Sequence, residues 1–154
     1  MAIHSASIIW NRGTQTFTDN RYSRAHAWHF DGGITVPASS SDKVLPVPLS
    51  ATEAVDPEEA LVAALSSCHM LFFLSYAARA GFVVDRYEDA ATGVLGKVEG
   101  RSCMTGVTLN PRVTFTGAQP DHEQFGHLHH AAHTDCYLAN SVSFDVACHP
   151  EIAG

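Results

Sequence analysis

Residues 60–78 contain no Asp, Glu, Lys or Arg. Just upstream, Asp56-Pro57-Glu58-Glu59 supplies an N-cap acceptor, a proline at the first helical position and a carboxylate at the third. Just downstream, Gly81 is placed to terminate the helix. These signals predict one long helix that is apolar on every side. A helix of that kind is either the core of a folded domain or a membrane span. The nineteen uncharged residues fall in the spanning range of about 17–25. However, Ser66-Ser67-Cys68-His69 and Ser75 interrupt the run, and nothing beside it reads as an interfacial anchor. A core helix is therefore expected, with no membrane partner.

What surrounds such a helix must cover it. Residues 5–10, 25–30 and 34–36 are β-prone, with Asp31-Gly32-Gly33 as a hairpin turn. Residues 37–55 hold three prolines and four serines without periodicity, which predicts a long ordered loop. After Gly81, residues 91–98, 102–109, 112–116 and 141–148 read as strands, and residues 121–135 as a second, more polar helix. The alternation of strands with a long helix is an α+β pattern with a mainly antiparallel sheet. At 154 residues, 45% of them hydrophobic and 16% charged, the chain is expected to form one domain with its own core. One sheet covers only one side of a helix that is apolar all round. A homodimer with the long helices at its centre covers the other.

Nine Lys and Arg against sixteen Asp and Glu give a net charge of −7, which lacks the basic footprint of nucleic-acid binding. The start of the chain has neither a basic nor an apolar signal region, so a cytoplasmic location with reduced thiols is expected. Cys68, Cys103, Cys136 and Cys148 form no C-x-x-C pair. Cys68 sits mid-helix, beyond reach of the helix dipole, so its ionisation needs a cation from elsewhere. His69 projects about 100° away around the helix and is a poor base for it. His129, His133 and Cys136 fall at i, i+4 and i+7 on one helical face. They can be a redox cysteine with neighbouring imidazoles, three metal ligands in a cluster running from His127 to Cys136, or an exposed polar face. Cys103 and Cys148 have no partner at a telling spacing.

Two segments together resemble the OsmC/Ohr family of thiol peroxidases. Residues 56–68, Asp-Pro-Glu-Glu through Ser67-Cys68, are similar to that family's first cysteine helix. Residues 132–141, around Asp135-Cys136-Tyr137, are similar to its second cysteine segment. Residues 22–33, Tyr22-Ser23-Arg24 through Gly32-Gly33, point to an OsmC-like branch.

The resemblance implies an intertwined α+β homodimer that reduces organic hydroperoxides without a cofactor. It implies Cys68 as the peroxide-attacking thiolate and Cys136 as the thiol that resolves it to a disulfide. A lipoylated protein, thioredoxin or a small thiol would then reduce the pair. Arg24, with Arg21 the other candidate, would hold the thiolate, and Glu58 would fix that arginine. Tyr137 and His69 replace residues common in the Ohr branch, and both are expected beside the peroxide. Glu58 and Cys68 are ten residues apart, about 15 Å along an unbroken helix, so one guanidinium cannot touch both. Either the helix breaks near Ser66-Ser67, or the arginine and Glu58 reach Cys68 from the other subunit. Two other readings carry different expectations. One is a non-catalytic protein binding an apolar ligand under a lid formed by residues 37–55. The other is a metal-binding protein using the His127–Cys136 cluster.

Overall fold

The uncharged run is one continuous helix. In the computed structural model, which describes residues 1–153, α1 spans Pro57–Arg79 and does not break at Ser66-Ser67. The predicted cap is present in full. Asp56 Oδ1 accepts from the Glu59 N–H at 2.8 Å, and Glu59 Oε2 accepts from the Asp56 N–H at 3.3 Å. At the other end Gly81 has φ +84°, with Phe82 N–H donating to Ala77 O and Gly81 N–H to Ala78 O. That is a Schellman closure, and it needs the left-handed conformation that glycine adopts freely.

Two compact units share the chain, Met1–Ala60 and the part beginning at Leu61. The first is an antiparallel meander of β1 (Ala6–Ile9), β2 (His26–Phe30) and β3 (Thr35–Ala38). Trp10, Phe17 and Tyr22 pack as a ring cluster, and Trp10 Nε1–H donates to Ser23 O at 2.8 Å. The long loop after β3 is ordered by its own backbone. Ser39 N–H donates to Val55 O and Val55 N–H to Pro37 O, and the fully buried Ser39 hydroxyl accepts from Ala51 N–H.

The second unit adds β4 (Val83–Asp89), β5 (Thr92–Val98), β6 (Arg101–Leu109), β7 (Pro111–Thr116), α2 (His122–Asp135), a 3-10 turn (Ala139–Ser141), β8 (Asp145–Cys148) and β9 (Glu151–Ile152). They form two three-stranded sheets ordered β4-β7-β9 and β5-β6-β8. The expected final strand is shorter than residues 141–148. The 3-10 turn takes its first residue, while Val142 and Phe144 pack on the core from irregular chain. β8 and β9 pair parallel to β6 and β7, so the antiparallel pattern is predominant and not complete.

α1 crosses two apolar clusters. Leu65 packs with Val107, Leu109 and Val146, and Phe73 and Ala77 pack with Val113, Phe115, Phe125 and Ala132. Phe73 and Leu65 are fully buried, each stabilising by roughly 1.5–3 kcal/mol. Gly93 lets the sheet come close, since a Cβ there would lie 2.5 Å from Val62 Cγ2 and 2.6 Å from Met104 Cε. The buried stripe of α1 is Leu65, His69, Phe73 and Ala77, one residue per turn. Ala63, Ser67, Leu71 and Ser75 form the opposite, exposed stripe, and Leu71 is 63% exposed. A single chain thus covers one side of this helix and leaves the other bare.

Candidate active site

Asp121 starts α2 with a reciprocal cap. Its carboxylate accepts from Gln124 N–H at 2.8 Å, and the Gln124 amide oxygen accepts from Asp121 N–H at 3.0 Å. α2 ends at Asp135, whose carboxylate accepts the Tyr76 hydroxyl of α1. The next residue, Cys136, is therefore held beside α1. Its side chain is 1% exposed, and its Sγ accepts from Ala139 N–H at 3.5 Å. Burial raises its thiol pKa, the Ala139 N–H opposes this, and the neighbouring Cys68 thiol raises it further. Cys68 and Cys136, 68 positions apart in sequence, are thus brought close enough to influence one another, and both are free thiols. Cys68 is half-buried where Cys136 is buried. Cys68 is therefore the more accessible of the two thiols.

Tyr137 stands outside this pair, 74% exposed, with its ring edge against Phe72 at 5.0 Å between centroids. The His69 side chain turns away from Cys68 into the core, against the expectation that it lies beside the reacting thiol. The helical rotation buries it completely, with its Nε2 3.0 Å from His129 Nδ1. His129 in turn stacks on Phe73 at 4.1 Å and meets Phe125 edge-on. Of His129, His133 and Cys136, the two histidines line one cavity and Cys136 stands apart from them. His129 turns into the core toward His69 and Cys148, Cys136 meets Cys68, and His127 is exposed. Burial, followed by the His133 charge, holds His69 down at about 4, with Asp89 opposing, and burial holds His129 at about 3. Both rings are neutral near pH 7. Cys148 lies 3.7 Å from His69 Nε2, and burial pushes its thiol up to about 12. No local pattern marks this cysteine, because its partners come from two helices distant in the chain. Cys103 remains a strand residue of β6, opposite Gly96.

Arg24 lies in the first unit. Its guanidinium sits 3.7 Å over the Tyr22 ring and donates to Tyr22 O and to Asn20 Oδ1 at 2.8 Å. It borders a cavity of about 460 Å³ whose apolar wall includes Ile8, Trp10, Phe17 and Tyr22. Glu58 is half-buried in the first turn of α1. Among the described residues, neither Arg24 nor Arg21 forms an ion pair with Glu58; the two ion pairs are Arg86–Glu88 and Arg112–Glu151. With α1 unbroken, Glu58 and Cys68 keep their separation of about 15 Å along the helix.

A family model described as OsmC-like protein matches residues 50–149. An OsmC-like protein of unknown function from Vibrio cholerae is 51% identical, with 99% of this chain and 100% of that one covered and a TM-score of 0.94. An OsmC-like protein from Mycoplasma pneumoniae shares the fold at 11% identity and TM-score 0.74, covering 99% of both chains. An organic hydroperoxide resistance protein from Elizabethkingia anophelis shares it at 15% identity and TM-score 0.72, covering 100% of this chain and 97% of its own. No curated protein matches the sequence.

Proposed function

The chain belongs to the OsmC-like family, and on that premise we propose that it is a cysteine peroxidase acting on organic hydroperoxides. The observation that carries this is the proximity of a half-buried Cys68 to a buried Cys136. Fold neighbours named for organic hydroperoxide resistance support it.

The Cys68 thiolate attacks the terminal peroxide oxygen. The O–O bond breaks, the terminal OH stays on sulfur so that Cys68 becomes a sulfenic acid, and the departing alkoxide takes a proton from solvent to leave as the alcohol. Cys136 then attacks the Cys68 sulfur, forming the S–S bond and expelling water. A dithiol of the cytoplasm (a lipoylated protein, thioredoxin or a small thiol) takes the oxidising equivalents and restores both thiols. No cofactor or metal enters these steps.

The cation comes from a second copy of the chain. α1 carries no charge between Glu59 and Arg79, and its exposed stripe around Leu71 is the surface that a homodimer buries. In that assembly the Arg24 guanidinium, fixed by Glu58, faces the partner's Cys68 thiolate and lowers its pKa.

The test is a thiol count. Reduced protein is mixed with cumene hydroperoxide or tert-butyl hydroperoxide, and free thiols are followed in wild type, Cys68→Ser and Cys136→Ser. Wild type loses two thiols rapidly, Cys136→Ser accumulates a trappable sulfenic acid, and Cys68→Ser shows no fast phase. Slow, equal oxidation of all three favours a second reading, an apolar-ligand-binding protein that uses the cavity walled by Trp10, Phe17 and Tyr22.

A further inference from the structure

Apart from the dithiol, three ligand-type side chains converge in the core of the second unit. His69 of α1, His129 of α2 and Cys148 of β8 place Nε2, Nδ1 and Sγ within 4.8 Å of one another. The edges of that triangle are 3.0 Å between the nitrogens and 3.7 and 3.9 Å from the sulfur to each. The other ring nitrogens, His69 Nδ1 and His129 Nε2, are buried with no hydrogen-bond partner. Each such orphan is unfavourable, and an apolar residue continuing the Leu65 and Phe73 stripe would avoid it. The fold keeps this polar group at a cost to stability.

The triangle has the dimensions of a metal site. A zinc-type ion holds imidazole nitrogen at about 2.0–2.1 Å and thiolate sulfur at about 2.3 Å. With tetrahedral angles, those bonds set nitrogen–nitrogen edges of about 3.3–3.4 Å and nitrogen–sulfur edges of about 3.6 Å. The observed edges differ from these by a few tenths of an ångström, within the play of a side-chain torsion.

We propose that His69, His129 and Cys148 bind a transition-metal ion of borderline softness, zinc first. Two imidazoles and a thiolate suit that class and exclude magnesium and calcium, which demand oxygen ligands. Binding forms two metal–nitrogen bonds and one metal–sulfur bond, and the Cys148 thiol proton passes to solvent. Three protein ligands leave a fourth position. A cavity of about 260 Å³ lined by Gly126, His129, His130, His133, Val146 and Cys148 adjoins it, so water or a small anion can complete the shell. An open fourth position is the arrangement of reactive rather than purely structural zinc.

The site shares no residue with the Cys68–Cys136 pair, so the two are tested separately. Metal-free, reduced protein is titrated with Co²⁺ and scanned for thiolate-to-cobalt charge-transfer absorption and tetrahedral ligand-field bands. The expected result is one cobalt per chain with both signatures, retained in the double variant Cys68→Ser/Cys136→Ser and lost in Cys148→Ser. Wild type carries a second readout in case Cys148→Ser does not fold. Zinc should slow alkylation of Cys148 at least tenfold, mapped by peptide mass, and leave Cys103 unchanged. Absence of the charge-transfer band, its loss in the double variant, or equal Cys148 reactivity with and without zinc would each overturn the proposal.

Discussion

Cys68 and His69 are adjacent in sequence and serve two different places. The thiol of Cys68 meets Cys136 at the end of α2, whereas the imidazole of His69 is buried against His129 and Cys148. One residue of helical rotation, about 100°, separates them. Replacing His69 with Ala leaves a void between the Leu65 and Phe73 clusters and strips His129 Nδ1 of its partner. The expected cost is about 2–4 kcal/mol, the range for large-to-small core changes. Urea unfolding of metal-free protein measures it, and an unchanged midpoint contradicts the packing described.

The same histidines make stability depend on pH. Burial depresses His69 from 6.5 to about 4 and His129 from 6.5 to about 3. Below 6.5 the unfolded chain therefore takes up protons that the native state refuses. Stability from this source is fully present above about pH 6.5 and is lost as pH falls toward about 4 and then about 3. For metal-free protein, the urea midpoint should decline across that window. A flat midpoint between pH 6.5 and pH 4 would show that the rings are solvated.

Cys136 has its thiol pKa raised, chiefly by burial and then by Cys68 against the opposing Ala139 N–H. At neutral pH it is a protonated and shielded thiol. Iodoacetamide should modify it more slowly than Cys68, with a rate that climbs at pH values above the ordinary thiol range. Equal rates at pH 7 for the two cysteines would contradict this environment. The order matters for mechanism, because a resolving thiol that is unreactive until sulfenic acid forms beside it does not compete for peroxide.

Leu71 is 63% exposed in the middle of an otherwise small-residue stripe of α1. A dimer built on that stripe buries it. Sedimentation equilibrium should show a dimer for wild type and a shift of at least tenfold in dissociation constant for Leu71→Arg. A wild-type monomer would remove the source proposed for the thiolate-stabilising arginine.

Much of this was legible before the structure. The capped, uncharged helix and the start of α2 at Asp121 follow from local chemistry that acts within four residues, and both stand where that chemistry predicts them. β4 was missed because Asp85, Arg86, Glu88 and Asp89 hide its alternation. It is an edge strand, where charge is tolerated and guards against further pairing. Cys148 was missed for a different reason. Its partners are 79 and 19 residues away on two helices, and no spacing announces a site assembled by tertiary packing. Only the resemblance marks Arg24, whose contacts in this chain are with Tyr22 and Asn20.

The central claim is that Cys68 and Cys136 form the working redox pair. Peptide mass mapping, without reduction, of wild-type protein treated with one equivalent of cumene hydroperoxide tests it most directly. The expected product is a chain two mass units lighter, with a single Cys68–Cys136 disulfide that dithiothreitol reverses. A disulfide that includes Cys103 or Cys148, or sulfinic acid at Cys68 with Cys136 still free, would contradict it.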